Sequence, residues 1–506
     1  MARGGFLVGI VVAAVACHEH GSTPVDAPLG IDAPPGSSAK ELTSFRFLVA
    51  DNPGLTGDLT AAIVGNEISA VAVFPTTLAG LVATFETTGV SVSLDGQEQF
   101  SGKSAITFGP GADRRYVVVA EDGSSRTYNV RIRSRGFALK RDFVTGASPG
   151  SVVAADFNGD GKADLAVTSQ TPAMFSILTN TAVSGATIAS FTRTDIATAP
   201  APGRLAIADV DGDGKPDVAV ANPGPGTVSV FLNTTPAGAA TPTFAARSDV
   251  PAGAGAFAIT VADLDADGKP DLAVANGAGA DSMSVLLNTT ATGAATASFA
   301  AKVDYPIGPT PTSIVAGDLD GDGRPDLVAS HHGGYGRIWA WINTTPAGAA
   351  APSFAESIHL VSGQDLRAVY LGDVNADGRV DLVVPKTALA DVAVFLNTTA
   401  AGTTPPTFGT PAPINAEDDL ASVGLADVDQ DGTMDIVASS AHGSGMTLLL
   451  GTTAPGAATA SFRIPRRYGT GQVPTTVAIA DFNGDAKPDV AITNELSGSV
   501  SVLLAE

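Results

Sequence analysis

The sequence predicts an all-β protein: a small β-sandwich followed by seven four-stranded units able to close into a propeller. Three observations carry this. A nine-residue pattern, Asp209-Val-Asp211-Gly-Asp213-Gly214-Lys-Pro-Asp217, recurs in near copies that begin at Asp156, Asp209, Asp263, Asp318, Asp373, Asp427 and Asp481. Their spacings of 53, 54, 55, 55, 54 and 54 residues mark a repeat architecture. Short apolar runs flank each copy, such as Leu205-Ala-Ile-Ala and Val218-Ala-Val-Ala, and read as buried strands. Residues 41–135 lack the pattern and alternate in strand fashion between turn residues.

Taken in order, Met1 to Ala16 holds one basic residue, Arg3, and the apolar run Phe6 to Ala16. That run is too short to span a bilayer and suits the apolar stretch of a signal peptide, so residues 1–16 are expected to be removed. Cys17, the one cysteine of the sequence, follows Ala14-Val15-Ala16. This resembles a bacterial lipoprotein signal, which implies lipidation of Cys17. A plain cleavage after Ala16 is the alternative, although a lone cysteine in an exported chain has no internal disulfide partner. Residues 17–40 are rich in Pro, Gly, Ser, Ala and Asp and read as a disordered tether.

Residues 41–135 contain alternating stretches such as Thr43-Ser-Phe45-Arg-Phe47, Val90-Ser-Val92-Ser and Arg115-Tyr-Val-Val-Val, separated by turns such as Asp51-Asn-Pro-Gly. Some seven short strands predict a sandwich. Its closing segment, Val118-Val-Ala-Glu-Asp-Gly-Ser-Ser-Arg-Thr-Tyr-Asn-Val, resembles bacterial immunoglobulin-like and cadherin-like modules, which implies a spacer or adhesive unit.

Residues 136–506 carry the repeats. Each has the form D-x-[D/N]-x-D-G-x-x-D, with side-chain oxygens at positions 1, 3, 5 and 9. Hard cations such as calcium take six to eight oxygen ligands, and glycine at position 6 allows a left-handed turn. The candidate ligands are Asp156, Asn158, Asp160 and Asp164; Asp209, Asp211, Asp213 and Asp217; Asp263, Asp265, Asp267 and Asp271; Asp318, Asp320, Asp322 and Asp326; Asp373, Asn375, Asp377 and Asp381; Asp427, Asp429, Asp431 and Asp435; and Asp481, Asn483, Asp485 and Asp489. Up to seven calcium ions are expected. Solvated Asx turns are the plainer reading, but seven copies in register, each packing carboxylates that repel without a cation, favour metal. The loop resembles the first half of an EF-hand loop, without its glutamate at position 12 and with strands in place of helices. Ala486 replaces the position-6 glycine in the last copy, so that site is expected to be the weakest.

A representative unit reads as four strands: Leu205-Ala-Ile-Ala, Val218-Ala-Val-Ala, Thr227-Val-Ser-Val-Phe-Leu-Asn233 and Thr243-Phe244-Ala-Ala-Arg. The unit and its period resemble FG-GAP or VCBS-type repeats, like those of integrin alpha-chain propellers. The resemblance implies a seven-bladed propeller with calcium between the first two strands of each blade. The sequence ends in the third-strand pattern Ser499-Val-Ser-Val-Leu-Leu, while Phe137-Ala-Leu-Lys-Arg-Asp matches a fourth strand. The early segment is therefore expected to complete the last blade.

Two features vary between repeats. Asn-Thr-Thr recurs at Asn233, Asn288, Asn343 and Asn397; it passes as a glycosylation sequon but reads better as the end of the third strand opening a polar hairpin. In the fourth repeat, His331, His332, Tyr335, Trp339 and Trp341 form a candidate ligand patch, with inter-blade packing as the alternative.

The formal net charge of −23 excludes nucleic acid as a natural partner, which calls for basic patches. Seven divalent ions would bring it to about −9, so the acidity is mostly a metal-site signature. No nucleophile motif or acid–base cluster stands outside the loops. The expected function is non-enzymatic binding or adhesion to an extracellular polysaccharide or protein. The expected form is an exported monomer held to the bacterial outer membrane or cell surface only by a lipid, or else secreted or periplasmic. The alternatives are a polysaccharide lyase or hydrolase built on a propeller, and a structural surface-layer component.

Overall fold

The computed structural model describes residues 36–505 apart from 54, 56–57, 74–79, 108–113, 139, 333–335, 356–357, 362–365, 387–388, 417–418 and 464. The expected signal peptide, Cys17 and most of the expected tether lie outside the described residues. Among the described residues there is no helix, and hence none long and apolar enough to cross a membrane.

The described residues up to Arg135 form eleven strands in three sheets, where the sequence reading found about seven. The additional ones are mostly two- and three-residue segments too short to show alternation, such as Leu59–Thr60 and Gln97–Glu98. A three-stranded sheet centred on Leu42–Phe47 and a six-stranded sheet centred on Ser125–Arg135 and Arg114–Val119 share one apolar core. Phe45, Phe47, Ile68, Tyr116 and Tyr128 are sealed within it. Ser125–Arg135 runs parallel to Glu67–Val73 and antiparallel to Arg114–Val119.

The repeat region forms seven four-stranded antiparallel sheets. In sheet two, Leu205–Ala208, Asp217–Asn222, Thr227–Phe231 and Ser248–Pro251 pair in chain order. First strands touch around a closed circle. Ala147–Ala155 meets Leu205–Ala208, which is followed by Ala256–Ala262, Pro311–Gly317, Tyr370–Gly372, Leu420–Ala426 and Pro474–Ala480, and the last returns to Ala147–Ala155. Apolar clusters fill the seven gaps between consecutive sheets. Phe157, Phe175, Val218 and Phe231 close the gap between sheets one and two, and Val152, Leu165, Phe482 and Val500 the gap between seven and one. The second strands are buried along their whole length in most sheets, as expected for strands covered on both faces.

Closure joins the two ends of this region. Arg141–Val144 pairs antiparallel with Ser499–Leu503, supplying the fourth strand of sheet seven. The fourth strands are displaced from the sequence reading. In sheet two the strand is Ser248–Pro251 and not Thr243–Arg247; Phe244 instead makes a single bridge to Asn233. Its ring packs edge-on against Phe157 and Phe175 in the gap between sheets, which draws the chain out of the ladder there. Phe137 does the same, bridging to Ala505 ahead of Arg141–Val144.

Candidate metal centres

Each nine-residue loop joins the first strand of a sheet to the second. In loop two, the Asp209 carboxylate accepts the Asp213 N–H at 3.0 Å and the Gly214 N–H at 2.8 Å. Asp211 accepts the Asp213 N–H at 3.2 Å. Asp217 is 1% exposed and accepts two main-chain N–H groups, from Val210 at 2.8 Å and from Asn233 at 2.6 Å. The position-9 residue thus does more than the sequence suggested: in all seven loops it ties the loop to the end of its own sheet's third strand. Burial pushes Asp217, Asp271, Asp326, Asp435 and Asp489 up to about 7, and Asp164 and Asp381 up to about 6, against the lowering effect of those N–H donors.

Backbone conformation follows the pattern of glycines. Position 6 is left-handed throughout, at φ +87° in Gly214 and +65° in Ala486. Position 4 is left-handed as well, including Ala266, Ala376 and Gln430. The sequence reading missed that second constraint because these loops carry no glycine there.

The carboxylates at positions 1, 3 and 9 converge. One oxygen from each of Asp209, Asp211 and Asp217 lies within 4.8 Å of the others, and the same holds for Asp263, Asp265 and Asp271, for Asp318, Asp320 and Asp326, and for Asp427, Asp429 and Asp435. Loops one, five and seven place Asn158, Asn375 and Asn483 at position 3. The position-5 carboxylate is also engaged elsewhere: Asp213 accepts from the Lys215 ammonium at 2.8 Å, and Asp322 and Asp377 pair with Arg324 and Arg379.

These residues fit a hard divalent cation. The donors are all oxygens, as calcium prefers. Asn375, 3% exposed, has a side-chain oxygen with no hydrogen-bond partner, and a buried acceptor left that way is costly unless something binds it. The residues that would hold the ion are those at positions 1, 3 and 9, with position 5 where its ion pair yields. A bound ion would supply positive charge that cancels the mutual repulsion of the carboxylates.

The loops also fasten neighbouring sheets. The Asn233 amide, 2% exposed, donates to the Phe157 carbonyl of loop one at 2.9 Å and to the Pro216 carbonyl of loop two at 3.1 Å. Gly238 N–H, in the same hairpin, donates to the Asn158 carbonyl at 2.6 Å. Asn288, Asn343, Asn397 and Asn180 donate to the preceding loops in the same way, at 2.8–2.9 Å. Their amides are buried and hydrogen-bonded to the main chain, which favours the strand-end reading over glycosylation for Asn233, Asn288, Asn343 and Asn397. Loop six lacks this hairpin partner, because sheet seven draws its third and fourth strands from distant parts of the chain.

The candidate patch of the fourth repeat divides. His331 and Trp341 are buried, at 4% and 3% exposure. His331 bonds the Ile307 and Arg337 carbonyls, and Trp341 packs in the gap between sheets three and four. Trp339 is half-buried and stacks on His359, with ring centroids 4.0 Å apart. At the positions of His331, Trp339 and His359, sheets two and three hold hydrogen-bonded chains, Asn222–Ser229–Asp249 and Asn276–Ser284–Asp304. Sheet four thus exchanges a polar chain for an aromatic stack in the same register. His332 alone of the described members is exposed, and Tyr335 lies outside the described residues.

A family model for the FG-GAP-like repeat matches residues 209–274 and 264–329, and one for the FG-GAP repeat matches residues 148–173, 310–350 and 473–503. No curated protein matches the chain. Among solved structures, the chain is similar to a catalytically inactive virginiamycin B lyase from Staphylococcus aureus with quinupristin, at 10% identity and a TM-score of 0.44, over 73% of this chain and 99% of that one. That likeness is too slight to bear on activity. The chain thus carries FG-GAP and FG-GAP-like repeats, and these, with the recurring loops and the ring of small sheets, imply a β-propeller.

Proposed function

We propose that this is a surface-binding protein whose seven-bladed propeller is rigidified by calcium and engages an extracellular polysaccharide or protein without catalysis. FG-GAP repeats suggest a propeller of the surface or adhesion type. The observation that carries the reading is the coupling of the candidate metal loops, all but loop six, to the hairpin of the neighbouring sheet. Asn233, for example, bonds loops one and two at once, so cation binding at one loop stiffens two sheets. Export through residues 1–16, lipidation at Cys17 and the 41–135 module as spacer complete the proposal, with the propeller held away from a bacterial outer surface as a monomer.

The test is an array of glycans and matrix proteins probed with residues 17–506 in calcium and in EDTA. A hit that depends on calcium supports the reading. Silence across the array in calcium, or cleavage of an arrayed polysaccharide, overturns it in favour of a surface-layer scaffold or an enzyme respectively.

A further inference from the structure

A cavity of about 420 Å³ opens where the first strands begin, lined by residues from all seven sheets. The first strands run from this cavity to the metal loops, so the two lie at opposite ends of segments such as Ala256–Ala262. At about 3.3 Å per residue, seven residues separate the ends by roughly 20 Å. A ligand here would not touch a loop-bound cation.

The lining has a definite chemistry. Arg204 and Arg367 both face the cavity, and neither has an ion-pair partner among the described residues. Two unpaired guanidinium groups at one opening are notable in a chain with 51 acidic and 28 basic residues. Glu495 is the one acid of the lining, leaving cationic charge in excess. Phe257 is 42% exposed at the same opening, with the Arg204 guanidinium 6.0 Å from its ring centroid. A ring exposed to that extent at the opening offers a face for stacking. Thr312 and Thr475 add hydroxyl oxygens that can accept a hydrogen bond.

The rim is also fixed in place. The Thr168 hydroxyl donates to the Gly203 carbonyl at 3.1 Å, Arg204 N–H to the Phe257 carbonyl at 2.9 Å, and the Thr312 hydroxyl to the Leu366 carbonyl at 3.3 Å. The Thr475 hydroxyl reaches the Pro149 carbonyl at 3.4 Å. Each of these bonds crosses from one sheet to the next, so the ring of sheets holds the opening rigid, which limits the ordering cost of binding.

From this juxtaposition we infer that the axial cavity binds an acidic sugar, with Arg204 and Arg367 on the carboxylate and Phe257 against the ring. Guanidinium forks match carboxylates in plane and spacing. A hydroxylated ring with an apolar face accounts for the aromatic and the threonines together, which a bare anion does not. The volume falls in the range of small-ligand pockets, about 300–1,000 Å³. This rests on the polysaccharide form of the function proposed above and assigns its site.

The test is calorimetric titration of the calcium-loaded chain with trigalacturonate, triglucuronate and trimannuronate, with neutral maltotriose as the control. One of the uronates should bind at a single site and maltotriose should not. Arg204→Ala and Arg367→Ala should each weaken binding about tenfold or more, with melting temperature and calcium content unchanged. Phe257→Ala should weaken it as well. Silence from all three uronates, equal binding of maltotriose, or arginine variants that bind as well as the parent would overturn the inference. If the uronates are silent while the array shows a calcium-dependent protein partner, only this site fails; silence in both defeats the binding reading too.

Discussion

Ala486 offers a direct measure of what the left-handed turn is worth. At φ +65° it holds the conformation that glycine adopts in the other six loops, and its N–H still donates to Asp481 at 2.8 Å. A side chain in that region costs about 1–2 kcal/mol, partly offset because glycine loses more freedom on folding, about 0.5–1 kcal/mol. Ala486→Gly should therefore gain about 1 kcal/mol in the form that closes around the ion, or roughly a fivefold tighter seventh site. Gly214→Ala is the mirror experiment. A Cβ built there meets no atom within 4 Å, so its penalty is backbone strain alone and should weaken loop two by a similar factor. Calcium titration of both variants by calorimetry measures this. Unchanged affinity in both would refute the assignment of the turn to metal binding.

Further outcomes follow from the same geometry. Deleting residues 136–143 removes much of the Arg141–Val144 strand and the Phe137 bridge that close sheet seven, and should lower the melting temperature of the whole propeller; an unchanged melt would show that closure contributes nothing. Asn343→Ala strips donors from the Leu264 and Pro325 carbonyls and an acceptor from the Thr345 N–H. With buried unsatisfied groups costing about 1–3 kcal/mol each, the loss should reach about 3 kcal/mol by chemical denaturation. The position-9 carboxyls give a pH signature. Burial raises them from 3.8 to about 6 or 7, so the metal-free folded chain holds these protons more tightly than the unfolded one. That stability is fully present below about pH 4 and is lost as pH rises through about 7. Calcium needs the carboxylates, so melts in EDTA should fall between pH 5 and 8 while the increment given by calcium grows.

Repetition is what made so much of this legible. One Asp-rich loop is ambiguous, but seven in register with flanking apolar runs display the strand–loop–strand order and carboxylates able to converge on a cation. What stayed hidden depends on contacts between repeats. Asn233 looked like a strand end because its partners, Phe157 and Pro216, lie 76 and 17 residues away. The fourth strands were placed early because Thr243-Phe244 shows the strand pattern, whereas the ring of Phe244 takes it into the gap between sheets. Trp339 stood out in the fourth repeat, yet only the register shows that, where it takes the place of Ser229, His331 and His359 change with it. The axial cavity was invisible for a similar reason: Arg204, Phe257, Thr312 and Arg367 occupy comparable places in successive repeats, but the residue type changes from one repeat to the next.

The central claim is that the loops hold calcium and that calcium holds the sheets together. Equilibrium dialysis against calcium, with metal content per chain measured alongside thermal melts in calcium, magnesium and EDTA, tests it most directly. Calcium bound at up to seven ions per chain, a marked fall of melting temperature in EDTA and poor rescue by magnesium, which demands octahedral geometry and keeps its waters, are the predicted results. A chain that binds no calcium and melts identically in all three would contradict the account.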